Sequence, residues 1–150
     1  MIHVIDDEDS IRNILKALLD RAGYDVLFFE FAEQYLEYLQ STEFQKPTIV
    51  LSDIVLPGMN GYDLALKVHE KLPFQKILLM TGYKISNNRQ RAASQLCYLF
   101  EKPFNADKLI PIVDALCACE NALIRKEKTE YFQQCEFGAG PACPFHDPND

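Results

Sequence analysis

Residues 49–61 read Ile-Val-Leu-Ser-Asp-Ile-Val-Leu-Pro-Gly-Met-Asn-Gly, an apolar run that meets an acid and then passes into a loop. Ile49, Val50 and Leu51 have the composition of a strand buried on both faces. Asp53 stops the run, and Pro57-Gly58 and Asn60-Gly61 are turn-forming pairs. A strand of this kind belongs to a parallel sheet covered by helices. A carboxylate at its carboxyl end stands where such sheets place their ligands. Taken alone, Asp53 reads as a strand terminator or turn cap, so the neighbouring stretches decide.

Outward from this stretch the chain repeats the same grammar. Ile2-His3-Val4-Ile5 is a short buried strand running into Asp6-Asp7-Glu8-Asp9. A helix follows, with Asp9 or Ser10 as its cap and Ile11, Ile14, Leu15, Leu18 and Leu19 on one face, ending at Gly23. The acids at its start also suit the positive end of the helix dipole. Residues 25–29 form a second strand. Residues 32–40 form a helix with Tyr35, Leu36 and Leu39 inward, and Lys46-Pro47 leads into the strand that ends at Asp53. Residues 62–72 have helical spacing through Leu64, Leu66 and Val68, and Pro73 stops them. Residues 76–81 form a fourth strand ending in Thr81-Gly82, residues 86–95 a short polar helix, and residues 97–100 a fifth strand leading to Glu101-Lys102-Pro103-Phe104. Asn105 caps a last helix carrying Leu109, Ile112, Val113 and Leu116, in which Pro111 predicts a kink or a late start. The alternation predicts an α/β fold, a doubly wound parallel sheet with right-handed crossovers and helices on both faces.

Composition excludes several classes of function. At 150 residues the chain has the length of one domain with a real core. Apolar residues make up 48% and charged ones 25%, the balance of a globular chain and not of a disordered one. No apolar run approaches the roughly 20 residues of a membrane span, and no signal-peptide pattern opens the chain, so a cytoplasmic location is expected. A net charge of −7, with no basic cluster, argues against direct nucleic-acid binding. The five cysteines (Cys97, Cys117, Cys119, Cys135, Cys143) are odd in number and fall late, which suits free thiols in a reducing compartment.

Four of the five strands end in a residue able to do chemistry: Asp6-Asp7, Asp53, Thr81 and Lys102. Singly, each is a cap, a turn former or a surface charge. A parallel sheet, however, gathers the carboxyl ends of adjacent strands at one edge. Three converging carboxylates repel one another and retain protons unless a cation intervenes. A hard divalent ion answers this, and Mg²⁺ fits best because it binds few carboxylates and keeps water. With Lys102 as a mobile charge and Thr81 as a hydroxyl donor, an anion arriving at Asp53 meets metal, ammonium and hydroxyl together. That arrangement stabilises a transferring phosphoryl group.

Over residues 1–119 the chain resembles the receiver domain of two-component response regulators. The resemblance rests on Asp6-Asp7, on Asp53 with Leu56-Pro57-Gly58-Met59-Asn60-Gly61, on Thr81-Gly82 and on Lys102-Pro103-Phe104. One such motif would be weak, but four in order at fitting spacings are specific. The resemblance implies a flavodoxin-like sheet of order 2-1-3-4-5. It makes Asp53 the phosphoacceptor for a sensor histidine kinase or histidine phosphotransfer protein. Asp7, Asp53 and the backbone carbonyl of Val55 would bind Mg²⁺ directly, and Asp6 through a water. Lys102 would pair with Asp53 and then with the phosphoryl oxygens, while Thr81 would swing toward them and carry its loop along.

Two positions bear on how such a switch behaves. Family members usually carry an aromatic three residues before the lysine, and here that residue is Leu99, flanked by Tyr98 and Phe100. Either the strand register is shifted or the switch works without an aromatic rotamer change. Val55 and Tyr83, two residues past the acceptor and the threonine, flank the path of hydrolytic water, and their bulk predicts a long-lived phosphorylated form.

Residues 120–150 form a C-terminal extension. Leu116, Leu123 and Glu130, and likewise Cys117, Ile124 and Tyr131, recur at sevens and predict a helix running on toward Gln134, with a stripe that packs on the domain or pairs with a second copy. Residues 137–141, Phe-Gly-Ala-Gly-Pro, read as loop. Cys135, Cys143 and His146, with Cys117-Ala118-Cys119, match no familiar zinc spacing and read as incidental thiols. Residues 120–150 leave no room for an ordinary helix-turn-helix domain, so, unless the chain is a piece of a longer regulator, output is expected through contacts with another protein. Two rivals stand beside the receiver reading. One is a degenerate receiver that binds partners without phosphorylation, which Leu99 keeps open. The other is a Mg²⁺-dependent aspartyl phosphatase of the haloacid dehalogenase type. That class needs an acid two residues past its nucleophile, where this chain has Val55.

Overall fold

Three of the five strands are buried along their whole length: β1 (Ile2–Ile5), β3 (Ile49–Asp53) and β4 (Lys76–Thr81). Strands wet on neither face need helices on both, and the computed structural model, which describes residues 1–82, 98–103 and 105–125, supplies them. The edge strands are β2 (Val26–Phe29) and β5 (Tyr98–Glu101). All pairings are parallel and the order is β2-β1-β3-β4-β5, as the resemblance implied.

Alternation along the strands divides the core in two. Ile2, Val4, Ile49, Leu51, Leu78, Met80 and Phe100 point to one face. There they meet Leu15 and Leu19 of helix α1 (Asp9–Arg21) and Leu109, Val113 and Leu116 of helix α4 (Ala106–Arg125). Ile5, Phe29, Val50, Ile77 and Leu79 point to the other face. Their partners are Ala32, Tyr35 and Leu39 of helix α2 (Ala32–Gln40) and Leu64, Ala65 and Val68 of helix α3 (Gly61–Lys71). Each fully buried aliphatic side chain contributes on the order of 2 kcal/mol, so these two layers fix where the strand ends lie.

Several local expectations are corrected. The cap of α1 is Glu8, not Asp9 or Ser10, and its side chain makes no capping bond; Asp9 is already helical. Ile14 is 45% exposed, because the buried stripe of α1 centres on Leu15 and Leu19 and Ile14 falls on its flank. Leu66 is 48% exposed for a plainer reason: two residues along a helix turn about 200°, so Leu64 and Leu66 cannot share a face. Helix α4 starts at Ala106 despite Pro111, with no late start. Asn105 caps it as expected, its side chain accepting the Asp107 N–H at 2.8 Å.

Helix α4 continues to Arg125. No helix among the described residues is long and apolar enough to cross a membrane. The helix expected at 86–95, the helical run toward Gln134, the loop at 137–141, and residues Tyr83, Cys97, Phe104, Cys135, Cys143 and His146 lie outside the described residues.

Candidate phosphoacceptor site

The register of the sheet delivers the chemistry to one end. Ile5 pairs with Ser52, so Asp6 follows β1 at the level where Asp53 closes β3. Asp53 pairs with Met80 and Thr81 with Glu101, which puts Thr81 and Lys102 at the same edge. The Lys102 amide donates to the Thr81 carbonyl at 2.6 Å, carrying the parallel register one residue past the end of β5.

The geometry there is a charge cluster in a mostly dry setting. Asp6 is fully buried, Asp53 is 5% and Thr81 2% exposed, and Asp7 is half-buried. Lys102 Nζ donates to Asp53 Oδ2 at 3.0 Å and to Asp6 Oδ2 at 3.2 Å. The remaining oxygens are held from below: Asp6 Oδ1 accepts the Glu8 N–H at 2.9 Å, and Asp53 Oδ1 accepts the Val55 N–H at 3.3 Å. Arg12 of α1 reaches back to the Asp6 carbonyl.

Electrostatics follow from that packing. Burial pushes the Asp6 carboxyl above its usual range, against the opposing pull of the Glu8 N–H and of Lys102; the Asp53 charge adds to the rise. Burial alone would lower the Lys102 ammonium, but its hydrogen bond to Asp53 and the charges of both acids outweigh it, and the net shift is upward. The two acids thus favour the charged form of the ammonium.

Asp6, Asp7 and Asp53 each offer an oxygen, and the three lie within 4.8 Å of one another. Adjacent ligands of one octahedral Mg²⁺ sit about 2.9 Å apart and opposite ones about 4.2 Å, so three oxygens within this span can close on a single ion, directly or with one acid acting through a water. With all three acids ionised, one ammonium leaves two negative charges uncancelled, the charge of a divalent cation. The donor set fits.

The structure brings every sequence-predicted site residue to this edge: Asp6, Asp7, Asp53, Val55, Thr81 and Lys102. Val55 is 57% exposed beside the acceptor. Leu99 pairs with Leu79 and packs, half-buried, on the α2–α3 face.

Gly61 is a site residue that sequence reasoning passed over. Read as half of a turn pair, it is held by steric necessity: a Cβ there would stand 2.3 Å from the Asp53 carbonyl oxygen and 2.9 Å from Ile54 Cα. Both are backbone atoms and cannot swing away. The Gly61 N–H also donates to the Ile54 carbonyl at 2.9 Å, and Asn60 caps α3 by accepting the Tyr62 and Asp63 N–H groups. The loop from 54 to 61 is thus closed at its base against the acceptor's own backbone. The glycine after Asn60 was the available signal, but nothing local tells a turn glycine from one pressed on another strand end.

Comparison with known proteins gives one answer. The family model described as response regulator receiver domain matches residues 2–114. The chain is 31% identical over 115 residues to the DNA-binding transcriptional regulator NtrC of Escherichia coli K12, covering 76% of this chain but only 24% of that protein. It is 30% identical over 116 residues to the response regulator receiver protein CpdR of Brucella abortus, covering 77% of this chain and 94% of that one. The crystal structure of a CheY-like receiver domain protein from Methanospirillum hungatei superposes with a TM-score of 0.72 at 27% identity, over 81% of this chain and 96% of that one.

Proposed function

The chain belongs to the response regulator receiver domain family, and from that premise we propose that Asp53 accepts a phosphoryl group in a two-component signalling system. The observation that supports this most is Lys102 Nζ, shared between Asp53 at 3.0 Å and Asp6 at 3.2 Å with Asp7 alongside. A structural ion pair needs one acid. An ammonium shared by two buried acids, with a third carboxylate close by, is a centre made to receive further charge.

In the proposed reaction an Asp53 carboxylate oxygen attacks the phosphorus of a phosphohistidine on a sensor kinase or phosphotransfer protein. The new O–P bond forms as the P–N bond breaks, and its electron pair returns to the imidazole. Lys102 shifts from Asp53 toward the phosphoryl oxygens, and the Thr81 hydroxyl donates to them. Asp6, Asp7, Asp53 and the Val55 carbonyl would hold Mg²⁺, which supplies charge neutralisation for the transferring group. Water attack later returns inorganic phosphate. The chain thus catalyses its own modification and reversal and acts on no separate substrate. The altered charge at Asp53 then biases the loop after Thr81 and changes which downstream protein, or second copy of this chain, binds. A cytoplasmic setting accords with this chemistry.

Leu99 favours one second reading, a binding module that recognises its partner without phosphorylation. The aspartyl phosphatase reading has no acid at Val55 to protonate a leaving group. Incubation with acetyl phosphate and Mg²⁺ followed by intact mass separates them. The receiver reading predicts a single phosphoryl adduct, absent in Asp53→Asn. No adduct in the native protein supports the binding module, and sustained turnover of phosphate esters supports the phosphatase.

A further inference from the structure

The base of the loop after β3 is closed by Gly61, but its tip is held from another element. Glu33, in the first turn of α2, accepts the Met59 N–H on Oε1 at 3.1 Å. The same carboxylate lies against Gly58: a Cβ there would come within 2.8 Å of Glu33 Oε1. Gly58 has φ +76°, a conformation that side chains strain, so absence of a side chain serves both the turn and the approach of the acid. Between this tip and the closed base runs Val55, whose N–H meets Asp53 Oδ1.

We propose that Glu33 is a positioning residue for metal binding. By holding Met59 it keeps the 54–61 loop in the form that sets the Val55 backbone beside Asp53. The proposal rests on the reading of Asp6, Asp7, Asp53 and Val55 as the Mg²⁺ site. A simpler role for Glu33 exists, since an acid in a first helical turn interacts favourably with the helix dipole. That role concerns the stability of α2, however, and gives no reason for a bond to an amide 26 residues away. The two make different predictions. A dipole partner acts through its charge, so Glu33→Gln should resemble Glu33→Ala. A hydrogen-bond acceptor acts through its oxygen, which Gln keeps.

The test is calorimetric Mg²⁺ titration of the native protein, Glu33→Ala and Glu33→Gln, with amide spectra of the metal-free forms. Loss of one such bond predicts Mg²⁺ affinity about fivefold weaker in Glu33→Ala, with shifted Met59 and Val55 amide resonances. Glu33→Gln should restore both. The rate of adduct formation from acetyl phosphate at saturating Mg²⁺ should match the native rate in both variants, because Asp53, Lys102 and Thr81 are untouched. Native Mg²⁺ affinity in Glu33→Ala would overturn the proposal, as would equal weakening in the two variants. If the native protein binds Mg²⁺ but takes up no phosphoryl group, the phosphoacceptor reading fails while the role of Glu33 is still decided by affinity and the Met59 amide. A native protein that does not bind Mg²⁺ overturns both.

Discussion

Strand β1 and the residue just after it bury two ionisable side chains three residues apart, and the protein treats them in opposite ways. Asp6, at the carboxyl end, is fully buried yet meets Lys102, the Glu8 N–H and two neighbouring acids. His3, in mid-strand and also fully buried, meets rings: Phe29, Tyr35, Tyr38 and Phe44 surround it with centroids 5.6–6.2 Å away. Its Nδ1 lies 3.3 Å from the Tyr35 hydroxyl, while Nε2 has no partner. Burial, and secondarily the amino-terminal charge, lower its pKa to about 4, so it stays neutral. One site collects charge and compensates it; the other excludes charge altogether. A neutral aromatic pocket thus lies within one strand's length of a charge-rich strand end.

The comparison can be broken at either end. The largest effect is expected from Lys102→Ala. Without the shared ammonium, adduct formation from acetyl phosphate at saturating Mg²⁺ should slow by about a thousandfold, the scale of losing a preorganised charge partner. A rate within a few-fold of native would mean that Lys102 is a structural ion pair.

Next comes the pH dependence of stability at His3. Because the folded pKa is depressed, the unfolded chain takes up a proton below its ordinary value of 6.5 while the native state does not until about 4. The associated stability is fully present above pH 6.5 and is lost as pH falls toward 4. At about pH 5 the loss should be about 2 kcal/mol relative to neutral pH. Urea unfolding of the native protein and His3→Leu across that range isolates this contribution, and identical slopes in the two would refute the neutral-core picture.

The smallest effect concerns the open side of the site. Val55→Asn, at a position 57% exposed, should admit and orient water and speed loss of the phosphoryl group several-fold. An unchanged lifetime would show that water reaches Asp53 by another route.

What the chain discloses on inspection follows from range. Asp53, Thr81 and Lys102 were readable because strand ends are marked locally by a switch from apolar run to turn residues, and a parallel sheet then does the gathering. Asn105 as a cap is local too, whereas Asn60, read only as a turn residue, turns out to cap α3. Ile14 and Leu66 were misplaced because a helix's buried stripe is centred by what packs on it, and Leu66 was read at a spacing that helices do not support. Gly61 against Asp53, Glu33 against Met59 and the ring of aromatics around His3 join separate elements. No periodicity encodes such contacts, and only the folded backbone reveals them.

The central claim is that Asp53 is the atom-level acceptor, and trapping tests it most directly. Protein treated with acetyl phosphate and Mg²⁺, then reduced with borohydride, converts an aspartyl phosphate to homoserine at the modified position. Peptide mass mapping should find homoserine at position 53 and nowhere else, and none without Mg²⁺. Homoserine at Asp6 or Asp7, or no conversion in any peptide, would contradict the account.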